Sequence, residues 1–435
     1  MKTKLLFASM LALGIQQNAL AQVDANGYTT VNMTMGASYQ NRVFFDLSAN
    51  NMVSQPANTW DIAFYRNSSM NFGTRINDAQ YIEVYQASNN PNDWNTITTN
   101  NISTFGAPLY NLDNTTAIQE GAFEQGTATY GWGEYNPGTH HVEGKVIFIL
   151  KYVTTNTYYK FMVEDYYGGY TFKYAKWNSS TSSWDPAVTK NVANGTDDAY
   201  FNYFSFATND KVANLEPSKT NWDLMFTRYW TDYPYTDPNT GQPATMKYRM
   251  AGVIQNSNIT VAKVQPETQA TSTATLPAAN TFSNNITAIG HSWKPTMGVH
   301  NDVVYYIKQG TEYYRLYFTS NEGSSAGNMY FKYKNITSFL GTTDIANKKA
   351  SFGMYPNPTT ADKKVTVLFD IKEKANTKGN VEVYDMSGKK VYSAELTNQT
   401  GFYKQDLNLS HLSSGNYLVK ITFGGSTETK KLIVK

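Results

Sequence analysis

The body of this 435-residue chain repeats itself, and the duplication limits the fold more than any other sequence feature. The segment Trp60–Phe64 (WDIAF) recurs as Trp222–Phe226 (WDLMF). Three further pairs of similar segments keep the same order along the chain, namely 43–48 with 202–207, 158–161 with 313–316, and 171–174 with 330–333. Four pairs in one order and at similar spacing indicate two copies of one structural unit.

The repeated segments are typical of β-strands. In Val146–Tyr152, apolar residues occupy both alternating sets of positions, which predicts a strand buried on both faces. We expect it to pair with the segment around 158–163 through a turn at Thr154–Thr157, and the matching hairpin to turn at Gln309–Thr311. Aromatic residues make up 14% of the chain and charged residues only 16%, which suits short strands and turns. The predicted fold class is all-β.

The repeats and the composition of the segments between them predict an order of domains. That order is a signal peptide at 1–21, a first β domain at 22–178, a linker at 179–196, a second β domain at 197–335, a linker at 336–350 and a C-terminal domain at 351–435.

The N-terminal residues have the pattern of a secretory signal. Lys2 and Lys4 precede the short apolar run Leu5–Ile15, and small residues at Ala19 and Ala21 predict cleavage before Gln22. The run is too short to span a bilayer, and we predict no transmembrane segment elsewhere. The chain has no cysteine, so we expect neither disulfides nor a lipid-modified cysteine in the exported protein.

The charge of the body argues against a nucleic-acid partner. Residues 22–350 carry 22 basic and 26 acidic side chains, whereas residues 351–435 carry 12 lysines and 8 acidic side chains. A mildly acidic body has no electrostatic basis for binding a phosphate backbone.

Residues 351–435 are predicted to form a small Ig-like β-sandwich, because apolar residues alternate along several short segments joined by turns such as Ser387-Gly388. The ordered segments 355–358 (YPNP), 381–391 (VEVYDMSGKKV), 412–421 (LSSGNYLVKI) and 431–435 (KLIVK) resemble the type A sorting domain of type IX secretion substrates. The resemblance implies a partner in the type IX secretion machinery. It also implies removal of the tail and a secreted or surface-attached mature protein.

The sequence gives little reason to expect an enzyme. Gly323–Gly327 matches a nucleophile-elbow pattern, but it lies between two strand-like segments rather than between a strand and a helix. Asp237–Gly241 has oxygen ligands near a glycine yet lacks the downstream glutamate of a calcium loop, and favours a turn. The pairs Trp60-Asp61 and Trp222-Asp223 are interpreted as structural, with the aspartate capping a turn.

Four of the five histidines precede the predicted hairpins of the repeats. His140 and His141 follow a loop signal in the first repeat, and His291 and His300 flank Trp293 in the second. Such histidines are either polar surface groups or ligands of a metal or haem iron through a neutral imidazole. Since neighbouring side chains of an extended chain point in opposite directions, at most one of His140 and His141 is expected to face a given pocket.

The order of the repeated segments resembles the HmuY family of haem-binding surface proteins, over roughly residues 28–178 and 197–335. The resemblance implies two tandem all-β domains whose loops hold haem between axial His or Met side chains, with haem or host haemoproteins as partners. The residues that it suggests as ligands are His141, His140, His300, His291 and Met297, with Met246, Met250 and Met70 as further candidates. The alternative is a non-catalytic surface module that binds another ligand through Tyr/Trp-rich loops.

Overall fold

The computed structural model describes residues 15–16, 22–67, 71–271, 275–295, 297–337, 350–372, 374, 378–423 and 426–435. The chain divides into two compact units. The first, which we call the body, ends at Ile336, and the second, the tail, runs from Thr337 to Lys435. Most of the predicted signal peptide, most of the predicted linker at 336–350 and the candidate Met70 lie outside the described residues.

The body is built from strands, which confirms the predicted all-β class. In chain order they are β1 Ile15–Gln16, β2 Gln22–Val23, β3 Thr29–Thr34, β4 Asn41–Asp46, β5 Asn51–Pro56, β6 Ile62–Tyr65, β7 Thr74–Ile76, β8 Ile82–Ser88, β9 Gly133–Asn136, β10 His141–Gly144, β11 Ile147–Tyr152, β12 Thr157–Tyr166, β13 Gly169–Asn178, β14 Ser183–Trp184, β15 Val188–Ala193, β16 Phe201–Ser205, β17 Asp210–Val212, β18 Leu224–Thr236, β19 Pro243–Gln255, β20 Ile259–Val264, β21 Val304–Gln309, β22 Glu312–Asn321 and β23 Asn328–Asn335.

Helical segments of the body are short. They are the α-helical turn α1 Gly323–Ala326 and 3-10 turns at Ala37–Tyr39, Asp78–Gln80, Pro91–Asn95, Thr99–Thr104, Phe123–Gln125 and Ala279–Thr281. None of the described helices is long and apolar enough to cross a membrane.

The body has two lobes, and each is a pair of sheets packed around an apolar core. In lobe A, the sheet β15-β13-β12-β11-β8, which β9, β10 and β14 extend, packs on the sheet β17-β16-β6-β7. In lobe B, the sheet β2-β3-β23-β22-β21-β20 packs on the sheet β1-β5-β4-β18-β19. Nine strands of one lobe therefore have counterparts in the same positions of the other, as the duplicated sequence requires.

The two sequence repeats exchange strands. β3 and β4, which begin the first repeat, pair with β23 and β18 of the second repeat. β15 and β16, which begin the second repeat, pair with β13 and β6 of the first. Lobe A is thus formed by β6–β17, and lobe B by β1–β5 together with β18–β23.

The lobes therefore differ in extent from the repeats predicted at 22–178 and 197–335. The stretch 179–196, predicted as a linker, contains β14 and β15, and β15 is an edge strand of lobe A. Sequence similarity shows the order in which strands recur. Sequence similarity does not show whether a strand will pair with a strand of its own repeat or with the equivalent strand of the other repeat.

The predicted hairpins form as the residue pattern indicates. In β11, Phe148 and Leu150 belong to the core of lobe A, whereas Ile147 and Ile149 pack under a second apolar layer on the opposite face. This strand is buried on both faces because the loop at 91–105 covers its outer side. In lobe B, β21 and β22 are joined at Gly310, whose φ of 57° lies in the region that favours glycine.

The tail is a separate β-sandwich. Its strands are β24 Ala350–Tyr355, β25 Lys364–Ile371, β26 Gly379–Asp385, β27 Lys390–Leu396, β28 Gly401–Asn408, β29 Gly415–Phe423 and β30 Ser426–Val434. The sheets β24-β25-β28 and β27-β26-β29-β30 enclose one apolar core. The predicted turn at Ser387-Gly388 joins β26 to β27. The sandwich predicted for this region is therefore present.

Candidate binding surfaces

Each Trp-Asp pair lies where a strand of the other repeat enters its sheet. The Asp61 carboxylate accepts a hydrogen bond from the Phe206 backbone N–H at 2.6 Å. The Asp223 carboxylate accepts the equivalent bond from Leu47 at 2.8 Å. Both aspartates are almost fully buried. They hold the ends of β16 and β4, so the geometry gives these aspartates a structural role at the exchange.

The second oxygen of each carboxylate also has a partner, which is partly buried. Tyr152 donates its hydroxyl to Asp61, and the side-chain amide of Gln309 donates to Asp223 at 2.6 Å. Tyr152 ends β11 and Gln309 ends β21, so the two contacts are equivalent in the two lobes. Burial raises the pKa of Asp61, and it raises the pKa of Asp223 to about 6.

A buried cation occupies the same position in two equivalent strands, β12 of lobe A and β22 of lobe B. Lys160 in β12 donates to the Trp94 carbonyl, and its ammonium lies 4.5 Å from the Trp94 ring centroid and 4.8 Å from that of Trp184. Arg315 in β22 pairs with the Glu267 carboxylate at 2.7 Å. Each cation thus fixes the long loop that covers the outer face of its own sheet.

The histidines of lobe A lie beside exposed tyrosines. His141 Nδ1 is 2.8 Å and 2.9 Å from the two carboxylate oxygens of Asp165, and its ring stacks on Tyr167 with centroids 4.5 Å apart and planes 3° from parallel. His140 has a φ of 62° and its Nδ1 is 2.7 Å from the Tyr135 hydroxyl. The two imidazoles therefore contact different strands, β12 and β9.

The suggested haem ligands of lobe B each have different neighbours. His291 Nδ1 is 2.8 Å from the Tyr229 hydroxyl, and burial, with nearby Lys294, lowers the pKa of His291. His300 is fixed through its backbone, whose N–H donates to the Trp293 carbonyl at 2.9 Å. Met297 is 86% exposed, so its thioether has almost no packing contact. Met250 packs at the edge of an apolar cluster, whereas Met246 is exposed.

The described contacts do not bring any two of these candidates face to face. Three surface clefts of about 360, 560 and 490 Å³ open on the body, and no histidine or methionine lines any of the three. Within the described residues, no three His, Asp or Glu side chains are grouped so that they could hold a metal ion.

The hairpin of β18 and β19 extends well beyond its sheet. β18 pairs with β4 only at residues 224–226, while the β18–β19 pairing continues to Thr236 and Pro243. We call residues 231–248 of this hairpin the Tyr ribbon. Cross-strand neighbours share one face, and this face carries Tyr233, Tyr235, Met246 and Tyr248. In lobe A the equivalent β6–β7 hairpin is short, so the ribbon is a feature of lobe B.

The other sequence motifs occupy turns. Gly323–Gly327 connects the antiparallel strands β22 and β23, as expected for a hairpin loop. Asp237–Gly241 forms the tip of the Tyr ribbon, where the Asp237 side chain accepts a hydrogen bond from the Asn239 backbone at 2.8 Å.

Sequence reasoning missed the Tyr ribbon and the partners of His141. The ribbon had a visible signal, because Tyr229, Thr231, Tyr233 and Tyr235 alternate before a turn and a second alternating segment. Asp165 and Tyr167 lie 24 and 26 positions after His141, and no local pattern connects them to it.

Comparison with known proteins gives an identity to the tail alone. Residues 353–435 match the family described as the secretion system C-terminal sorting domain. No curated protein matches the chain. The match confirms the sorting tail predicted at 351–435 and implies an interaction with the type IX secretion machinery. The tail is a secretion-system sorting domain, and the protein is exported by type IX secretion to the cell surface or the extracellular space.

Proposed function

We propose that the body is a non-catalytic binding protein, and that its Tyr ribbon holds neutral glycans at the cell surface or outside the cell. The observation that carries this proposal is an exposed aromatic face on a hairpin that extends beyond the sheet of lobe B. Tyr235 is 36% exposed, Met246 39% and Tyr248 48%.

The ribbon is unusual because a two-stranded hairpin without a covering layer is only marginally stable in water. Its outer residues have no further strand neighbour among those the structure describes. Tyr233 and Tyr248 support each other with ring centroids 5.5 Å apart. A hairpin extension of this kind, with rigid and exposed aromatic side chains, is typical of a contact surface.

The chemistry of the face suits an uncharged ligand. None of its four residues carries a charge, and the nearby Asp232 and Lys247 pair with each other at 2.9 Å on the opposite face. Tyrosine rings can stack on the apolar C–H face of a sugar ring while their hydroxyls bond to sugar hydroxyls. A neutral oligosaccharide therefore fits better than an acidic or basic polymer.

Affinity electrophoresis of the full mature chain in gels with neutral glucan, mannan or xylan tests the proposal. We expect retardation in at least one gel, and loss of that retardation in the double variant Tyr235→Ala/Tyr248→Ala. Tyr130→Ala, which removes an exposed tyrosine of lobe A, is the matched control and should migrate like the parent. Equal migration of parent and double variant in every gel would contradict the proposal.

We propose haem capture at His141 as a second candidate function, which the resemblance to HmuY-type proteins also favours. The specific observation is the contact between His141 Nδ1 and the Asp165 carboxylate. A carboxylate on one ring nitrogen orients the imidazole and makes the other nitrogen a better metal ligand. His141 Nε2 has no hydrogen-bond partner among the described residues, and the exposed rings of Tyr135 and Tyr167 lie nearby.

Titration of the full mature chain with haemin, followed by the Soret band, tests this candidate separately. We expect a saturable red-shifted band at micromolar haemin that His141→Ala abolishes and His300→Ala leaves unchanged. Absence of a saturable band excludes haem capture. A band that survives His141→Ala overturns the assignment of the ligand, and neither result bears on the Tyr ribbon.

A further inference from the structure

A small cavity lies at the junction of the two lobes. Its volume is about 50 Å³, and both lobes contribute to its lining. Lobe A provides Trp60, Arg75 and Asp78, and lobe B provides Arg42 and Arg228. The lining thus contains three guanidinium groups and one carboxylate.

Three of the four charged groups in the lining are withdrawn from water, and Arg228 is half-buried. Arg42 is 4% exposed, and Arg75 and Asp78 are each 8% exposed. Buried charges normally have a counter-ion, since a low-dielectric interior penalises an isolated charge. The positive charges therefore need compensation from within the protein or from a bound ion.

The direct hydrogen-bond acceptors of the two buried arginines are backbone carbonyls. Arg75 donates to the carbonyls of Ile118 and Glu120 at 2.9 and 2.8 Å. Arg42 donates to the Leu215 carbonyl at 2.7 Å. These acceptors are neutral dipoles.

The carboxylates near the cavity are shared among several donors. Asp78 accepts from the Asn111 amide at 2.8 Å and lies between Arg75 and Arg249. Glu216, which faces Arg42, accepts hydrogen bonds from the Tyr203 hydroxyl and from the backbone N–H groups of Tyr200 and Phe201. These two carboxylates and Glu124, which lies near Arg75, compensate the arginines from a distance, but only Asp78 lines the cavity itself.

Two donors of the lining have no acceptor. Arg42 Nε and Trp60 Nε1 are buried and make no hydrogen bond to any described residue. The Arg42 guanidinium is held in place by stacking 4.4 Å from the Tyr203 ring centroid. Buried donors without acceptors are rare in folded proteins, and each calls for a partner.

We propose that this cavity binds a small monovalent anion of the size of chloride. Its volume of about 50 Å³ is sufficient for an ion of that size. An anion would accept hydrogen bonds from Arg42 Nε and Trp60 Nε1 and would face the three guanidinium groups of the lining. A water molecule would also accept these hydrogen bonds, but it would interact less strongly than an anion with a lining of three guanidinium groups and one carboxylate. Because Arg42 and Arg228 come from lobe B and Trp60 and Arg75 from lobe A, the ion links the lobes where they exchange strands.

Thermal unfolding of the full mature chain provides the first test. The Tm is measured in sodium chloride and in sodium gluconate, whose anion is too large for the cavity, at equal sodium concentration. We expect the Tm to rise with chloride and to saturate, by about 2–4 °C, because a ligand of the native state stabilises it. Arg42→Gln should lose this rise. Arg66→Gln, which alters a more exposed arginine at another cleft, should keep it.

Bromide soaked into crystals of the unmodified chain provides the second test and does not depend on a folded variant. An anomalous peak within hydrogen-bond distance of Arg42 Nε and Trp60 Nε1 supports the proposal. Bromide at surface positions alone, with water in the cavity, overturns it. A Tm that rises equally in Arg42→Gln and in the parent also overturns it.

Discussion

Lobe A and lobe B share one strand order, but each has a different additional element at its surface. Lobe A inserts the short pair β9–β10, which places His140 and His141 near exposed tyrosines. Lobe B lengthens one hairpin into the Tyr ribbon. The elements that the lobes share are the buried ones, including the Asp61 and Asp223 contacts and the cations Lys160 and Arg315. The comparison indicates that the duplicated part is a scaffold and that binding functions arise where the copies differ.

Substitution of the buried cations should produce the largest difference in stability between the two lobes. Arg315 donates to the Glu267 carboxylate, to two tyrosine hydroxyls and to backbone carbonyls of 268–269, whereas Lys160 donates to one carbonyl. We expect Arg315→Met to lower the free energy of unfolding by about 3–4 kcal/mol, because it removes the counter-ion of Glu267 and the donor of two backbone carbonyls. Lys160→Met should lower it by about 1 kcal/mol. Urea unfolding followed by tryptophan fluorescence measures both, and equal losses would contradict the comparison.

The two aspartates that hold the exchanged strands, Asp61 and Asp223, should differ less in their effect on the free energy of unfolding. Asp61→Ala leaves the Phe206 N–H and the Tyr152 hydroxyl without an acceptor and removes one of two acceptors of the Gln80 amide, so we expect a loss of about 3 kcal/mol. Asp223→Ala leaves two such donors, on Leu47 and Gln309, and should lose about 2 kcal/mol. Asp185→Ala at an exposed position is the control. If both aspartate variants unfold like this control, the carboxylates do not hold the exchanged strands.

The Asp223 carboxyl also predicts a pH dependence. Burial raises its pKa from 3.8 to about 6, so the folded protein binds this proton more tightly than the unfolded chain does. The contribution of this group therefore favours folding at low pH and is lost as the pH rises from about 4 to about 6.

This one carboxyl can change the free energy of unfolding by at most about 1.4 kcal/mol per pH unit. Asp223→Asn should remove that part of the slope, which urea unfolding at several pH values measures. A variant whose stability falls between pH 4 and 6 as steeply as the parent's would show that Asp223 does not hold the proton.

The ribbon variants should have the smallest effect on stability. Tyr235→Ala and Tyr248→Ala change exposed side chains outside the lobe cores, so the free energy of unfolding should change by no more than about 0.5 kcal/mol. Tyr229→Ala on the same strand, where the ring is buried, should cost about 3 kcal/mol and serves as the contrast. A large loss from the exposed positions would give the ribbon a structural role instead.

The sequence predicted the local elements of the fold well. The two-faced burial of β11 follows from its apolar residues, and the turn at Gly310 follows from glycine beside polar residues. The sorting tail could be predicted because its motifs cover the whole unit. In these regions the information lies within a few neighbouring residues.

The exchange of strands could not be predicted in the same way. β3 and β15 are equivalent strands of the two repeats, and either could pair with β13 or with β23 on the basis of its residue pattern. The choice depends on packing across the whole body. The partners of His141 and His291 could not be predicted for a similar reason, since Asp165 and Tyr229 come from distant strands.

The exchange itself is tested most directly by engineered disulfides, because the chain has no cysteine of its own. Asn32 faces Tyr330 across β3 and β23, and Asn191 faces Thr171 across β15 and β13. Paired residues on neighbouring antiparallel strands lie within the distance that a disulfide spans.

The decisive measurement is the yield of intramolecular disulfide after mild oxidation, determined by mass spectrometry of the unreduced protein. The pairs Asn32→Cys/Tyr330→Cys and Asn191→Cys/Thr171→Cys should crosslink. The pairs Asn32→Cys/Thr171→Cys and Asn191→Cys/Tyr330→Cys, which separate repeats would bring together, should keep free thiols. Crosslinking of the second set in place of the first would contradict the exchange of strands between the lobes.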